Sequence, residues 1–104
     1  LAISKQFGSV EISLEPKTLV AGEKMVFEMT AETHSVDLGF DWTKIVTLKD
    51  DLGSEYKAMD WTGESGGHHI SGELIFEELK AESREVTLTV TGVDGVTESF
   101  SWII

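Results

Sequence analysis

The stretch VTLTVTGVDGVTESFSWII, residues 86–104, decides how the whole chain is read. Val86, Leu88 and Val90 alternate with Thr87, Thr89 and Thr91, so apolar and hydroxyl side chains fall on opposite faces of an extended segment. β-Branched residues hold almost every position, which suits a pleated, half-buried surface better than a helix. Asp94 and Gly95 then supply the pair favoured by a tight type I′ turn, whose two central residues both take positive φ. Phe100, Trp102 and Ile104 resume the alternation. The segment therefore predicts a β-hairpin with one apolar face, and such a face needs a second layer to cover it.

The same period runs back through the chain. Val10, Ile12 and Leu14 alternate with Glu11, Ser13 and Glu15, and Pro16 is expected to end that strand. Met25, Phe27, Met29 and Ala31 mark the inward side of a second strand. Trp42, Val46 and Leu48 share one parity and predict a third, which DDLG at 50–53 closes. Tyr56 to Trp61 forms a fourth whose two faces the pattern does not separate, and Ile70, Gly72, Leu74 and Phe76 line a fifth. FEELKAES, residues 76–83, is rich in helix formers but short for a stable helix, so it reads as a strand end running into a turn. With the two strands of the opening hairpin this gives about seven, separated by turns about every 10 to 12 residues. The expectation is an all-β, antiparallel two-sheet sandwich of immunoglobulin-like type, with a barrel as its competitor.

A chain of 104 residues has room for a single domain, here residues 1–104. Eight Lys and Arg against 19 Asp and Glu give a net charge of -11, which repels a phosphate backbone and disfavours both nucleic acid and an anionic membrane surface. The absence of cysteine removes disulfides, thiolate metal sites and cysteine nucleophiles together. No run of 18 apolar residues occurs, and the first residue is Leu1 rather than Met. A processed chain is expected, attached to a membrane only through an anchor already removed. A monomer is expected, with a protein partner left open.

Strand counting sorts the connections into two poles. Residues 15–23, 50–54 and 77–84 fall at one, rich in Glu, Asp and Lys. THSVDLGFDW at 33–42, TGESGGHH at 62–69 and VDGV at 93–96 fall at the other, which thereby receives all three histidines, His34, His68 and His69, together with Asp37, Asp41, Asp60, Trp42 and Trp61. If the second and fifth strands are antiparallel neighbours, His34 and His69 come close across them, and His68 turns toward the core mouth beside Trp42 or Trp61. Imidazoles with a carboxylate suit copper(II) or zinc(II), so His34, Asp37, His68 and His69 form the candidate metal set. The competing reading is a structural protein-interaction domain whose histidines brace the loops by hydrogen bonds. Adjacent histidines on a strand point to opposite faces and cannot act together unless the chain is irregular, which Gly66 and Gly67 permit.

Other chemistry is less well supported. Ser35 or Ser65 with His68 and Asp37 assembles a hydrolytic triad on paper, without a nucleophile-elbow motif or an oxyanion hole, so no enzyme is expected. Asp50, Asp51 and Glu55 lack calcium-loop spacing and read as a solvated turn. Met25 and Met29 sit at core parity, against copper(I) ligation with Met59. GESGG is followed by no helix and so cradles no phosphate.

THSVDLGFDW and GGHHISGELIF are similar to the signature of an uncharacterised group of bacterial and archaeal extracytoplasmic β-sandwich domains, in which a THSVDL-type segment, a Trp-containing strand and a GGHHxSGxLxF segment follow one another. LVAGEKMVFEM resembles the entry into the second strand of many secreted sandwiches, a widely shared pattern. The resemblance covers about residues 14 to 102 and touches His34, Asp37, Asp41, Trp61, His68, His69 and Gly72. It implies export, as a secreted, periplasmic or membrane-anchored binding or accessory module, and assigns no activity.

Overall fold

A computed structural model describes all 104 residues, Leu1–Ile104, and folds them into two antiparallel sheets face to face. In chain order the elements are β1 (Ile3–Phe7), β2 (Val10–Thr18), β3 (Lys24–Thr33), a single helical turn α1 (Trp42–Ile45), β4 (Val46–Asp50), β5 (Glu55–Tyr56), β6 (Ala58–Trp61), β7 (His69–Glu78), β8 (Glu85–Val93) and β9 (Val96–Ile103). One sheet runs β1-β2-β3-β7-β6 and the other β5-β4-β8-β9. Seven of these strands, β2-β3-β7-β6 against β4-β8-β9, reproduce the ABED and CFG orders of an immunoglobulin constant-type sandwich. β1 extends the first sheet and β5 the second. The sandwich predicted from sequence is therefore observed, with two additional strands at its edges.

The opening hairpin forms with two departures: a register shift between Val90 and Val93 brings Val93 into the strand, and Ile104 lies beyond β9, 40% exposed. Val86, Leu88, Val90 and Val93 are buried, β8 pairs with β9 up to Val93↔Val96, and the two turn residues between them have φ of 49° at Asp94 and 76° at Gly95. Phe27 and Trp102 meet across the sandwich with ring centroids 5.1 Å apart, and Phe27 also meets Phe76 edge-on at 5.7 Å. Phe7 stacks on Phe100 at 6.2 Å, which carries the core out to β1. Each such fully buried side chain contributes about 1.5 to 3 kcal/mol. Beside them Lys5 bridges the sheets, with its ammonium 5.6 Å from the Phe100 ring centroid and 3.8 Å from Glu98 Oε1.

Four local expectations are corrected. Pro16 does not end its strand: β2 continues to Thr18 through a register shift against β3. Pairing with β1 stops at Ile3↔Leu14, so the missing Pro16 N–H is needed by no β1 partner. Trp42 lies in a helical turn rather than a strand, closed by Lys44 and Ile45 N–H donation to Asp41 O at 2.9 and 3.2 Å. Residues 56–61 are two strands in different sheets: Tyr56 pairs with Leu48, whereas Trp61 pairs with Leu74 after a bulge between Ala58 and Asp60. That crossing is why no single alternation covers them. Finally, the turn after β4 is not simply solvated, because Asp50 is only 8% exposed.

Candidate functional site

Hydrogen bonds join the connections into the two poles expected from strand counting. At the first, Gly22 N–H donates to Leu79 O and Leu79 N–H to Glu23 O, while Asp51 Oδ1 accepts the amides of Arg84 and Glu85 at 2.8 and 3.2 Å. Those amide donations, Arg84's foremost, hold the Asp51 carboxyl below its ordinary range.

At the second pole, Asp94 Oδ2 accepts from Ser9 N–H at 2.8 Å and Ser9 Oγ at 2.9 Å, tying the β8–β9 turn to the β1–β2 turn. The amide of Ser9, then its hydroxyl, lowers the Asp94 carboxyl below its usual range. Ser35 Oγ reaches Ser9 Oγ at 3.2 Å, which adds the segment after β3 to the same network. Thr33 N–H donates to His68 O at 3.0 Å and Leu38 N–H to Gly67 O at 2.9 Å. Asp37 Oδ1 completes this last join by accepting from Gly67 N–H at 3.0 Å. The loops are thus braced by backbone groups, by Asp37 and by the Asp94–Ser9–Ser35 links. The one charged partner of any histidine is Glu32, whose Oε1 lies 3.5 Å from His69 Nδ1.

The predicted ligands separate into two groups. The antiparallel β3–β7 pairing sets Glu32 opposite His69, and His34 lies just beyond the end of β3. His34 and His69 line one polar hollow of about 310 Å³, with Glu11 and Glu32 and without a hydrophobic wall. Asp37 and His68 do not line it. Asp37 is turned back onto Gly67, and His68, one residue before His69, is exposed rather than tucked beside Trp42 or Trp61. As the side chains stand, no three His, Asp or Glu groups are gathered closely enough to hold a metal ion together. Ser35 and Asp37 are engaged with Ser9 and Gly67, so the triad assembled on paper is not hydrogen-bonded as one.

The carboxylates of the hollow are what the sequence reading missed. Registers Gln6↔Glu11, Glu11↔Glu32 and Glu32↔His69 lay these four residues in one row across β1, β2, β3 and β7. Lateral neighbours in such a row have Cβ atoms about 4.5 to 5.5 Å apart. Two like charges, Glu11 and Glu32, stand directly opposite, and neither is paired with a Lys or Arg. The outward parity of Glu32 and Glu11 was readable from the alternation; their alignment needed the registers.

No family model matches the chain, and no curated protein or solved structure matches it either. No helix is long and apolar enough to cross a membrane.

Proposed function

We propose that the chain is an exported, non-catalytic binding module that captures a divalent metal ion, copper(II) or zinc(II), at its second pole. The ligand set is His34, His69 and Glu32, with Glu11 as a neighbouring negative charge, in place of the four-residue set expected from sequence. The row Glu11–Glu32–His69 across three strands is the observation that carries this reading. Two carboxylates held opposite each other without a Lys or Arg partner repel, and a cation between them and the imidazoles relieves that repulsion. The His69 and Glu32 side chains are 69% and 62% exposed, so rotamer changes alone suffice to turn them toward a shared ion. Imidazole with carboxylate suits zinc or copper better than magnesium or calcium. Export rests on the resemblance of the THSVDL and GGHHISG segments to extracytoplasmic domains.

Histidine ring NMR signals recorded at pH 7 during addition of zinc(II) or copper(II) test the reading. His34 and His69 should shift with zinc, or broaden with copper, at a modest metal excess, and His69→Ala should abolish the response of His34. Silent rings would leave the competing interaction-domain reading in place.

A further inference from the structure

We propose that a second hollow, at the mouth of the sandwich between α1 and β6, binds an alkylammonium group. This hollow of about 410 Å³ is lined by Phe40, Trp42 and Trp61 together with Asp41 and Asp60, and shares none of the residues of the histidine hollow. The three rings make a chain of contacts through the buried Trp42. Phe40 and Trp42 centroids are 5.3 Å apart, Trp42 and Trp61 centroids 6.4 Å. Trp42 is buried beneath, and Phe40 and Trp61 are partly exposed above it.

The Trp61 ring is held in place rather than free to swing. Its Nε1 donates to Glu64 O at 3.0 Å. It also lies against Gly63 and Gly72, where an added Cβ would come within 2.3 and 3.0 Å of the indole. A ring already ordered loses little further entropy when a ligand arrives.

Charge selects among ligands for such a hollow. Asp41 and Asp60 are among its lining residues, and Asp37 lies behind Gly39, with Oδ2 3.4 Å from the Cβ position of that glycine. No Lys or Arg lines the hollow. Lys44 is directed at Asp41 Oδ2, 3.8 Å away, with its side chain 82% exposed, and Thr43 Oγ1 also donates to Asp41 at 2.8 Å. Of the two lining carboxylates, Asp60 has no ion-pair partner. An aromatic face attracts a cation within about 6 Å of its centroid, and a carboxylate at the edge of that face adds to the attraction. The net charge of -11 raises the local concentration of any cation and works against anionic ligands.

Choline and Nα-acetyl-lysine amide present this chemistry from two sources, a small molecule or headgroup and a protein side chain. Each is titrated into the ¹⁵N-labelled chain while the indole N–H signals of Trp61 and Trp42 are followed, beside the uncharged tert-butyl isostere of choline and a neutral monosaccharide. Trp61 should shift with at least one ammonium compound at millimolar concentration, and the isostere should bind about tenfold more weakly. Asp60→Asn, an exposed change that leaves the core intact, should weaken ammonium binding about fivefold. Preference for the lysine derivative identifies the ligand as a side chain of a partner protein, and preference for choline as a small molecule or headgroup. Equal binding of choline and its isostere, a response to the sugar alone, or an unmoved Trp61 would overturn the proposal. The metal reading is followed on His34 and His69, so either reading stands or falls without the other.

Discussion

The Tyr56 hydroxyl donates to Asp50 Oδ2 at 2.7 Å, and Ser83 Oγ donates to the same oxygen at 2.6 Å. Asp50 Oδ1 takes the amides of Leu52 and Ser54 at 3.0 and 2.9 Å, and Tyr56 Oη accepts from Lys80 N–H at 3.2 Å. One carboxylate thereby ties the end of β4, the following turn, β5 and the 80–84 segment together. Burial opposes its charge, but donation from Ser83, Tyr56 and the amides of Ser54 and Leu52 prevails and holds the carboxyl at about 2. Burial raises the Tyr56 phenol above its ordinary value, and the adjoining carboxylate acts in the same direction.

Because the folded pKa of Asp50 lies below the unfolded value of about 3.9, its contribution is complete above that value and is lost as pH falls through about 2. The urea midpoint should therefore drop between about pH 4 and pH 2. Asp50→Asn should lose about 1 to 3 kcal/mol at pH 7 and show a shallower drop across that window. Unfolding curves of both proteins at several pH values check this, and parallel acid profiles would refute it.

Gly72 lies in β7 at the point where the 62–64 segment folds against the sheet. A Cβ there would stand 2.4 Å from Gly63 Cα and N and 3.0 Å from the Trp61 ring, and backbone cannot give way as a flexible side chain can. Gly72→Ala should lose about 1 to 3 kcal/mol and move the Trp61 indole N–H signal. A stable variant with Trp61 unmoved would show that the contact is looser than its geometry.

Asp94 combines a positive φ of 49° with the latch onto Ser9. Gly8, on the other side of the latch, has φ of 60° and would place a Cβ 2.4 Å from Asp94 Oδ2. Asp94→Gly keeps the turn and removes the latch, so the Ser9 amide should exchange with solvent on the order of tenfold faster while the β8–β9 ladder stays protected. Unchanged Ser9 exchange would show that the latch is not made in solution.

What could be read from sequence follows the number of faces each segment buries. β3, β7, β8 and β9 bury one face along most of their length, so their inward residues follow the alternation, except where the register shift before Val93 buries that residue and where Ile104 runs past β9 into solvent. β1 was missed because Ile3, Lys5 and Phe7 share one side, and Lys5 interrupts its apolar pattern by spanning to Glu98 and Phe100. Tyr56 to Trp61 could not be assigned faces because those residues change sheets. The histidine pole was legible because strand parity places connections without any coordinates. Its internal sorting was not, since whether Asp37 reaches a ligand or Gly67 is decided by a loop hydrogen bond that leaves no periodic trace.

The opposed pair Glu11 and Glu32 gives a test in which two effects carry opposite signs. Without metal, Glu11→Gln removes a like-charge contact between lateral neighbours and should raise stability by a few tenths of a kcal/mol, up to about 1. With metal, the same substitution removes negative charge beside the proposed ligands, so affinity should fall. Zinc at about one hundred times its dissociation constant stabilises the native state by about 2.7 kcal/mol, and at that fixed concentration Glu11→Gln should receive less. His68→Ala should behave as the unaltered chain in both conditions, because His68 stands outside the hollow. Urea unfolding with chelator and with zinc measures both signs in one series. If Glu11→Gln leaves the zinc increment unchanged, Glu11 adds no charge to the site, and if His68→Ala removes the increment, the ion is held by a different set of groups from His34, His69 and Glu32.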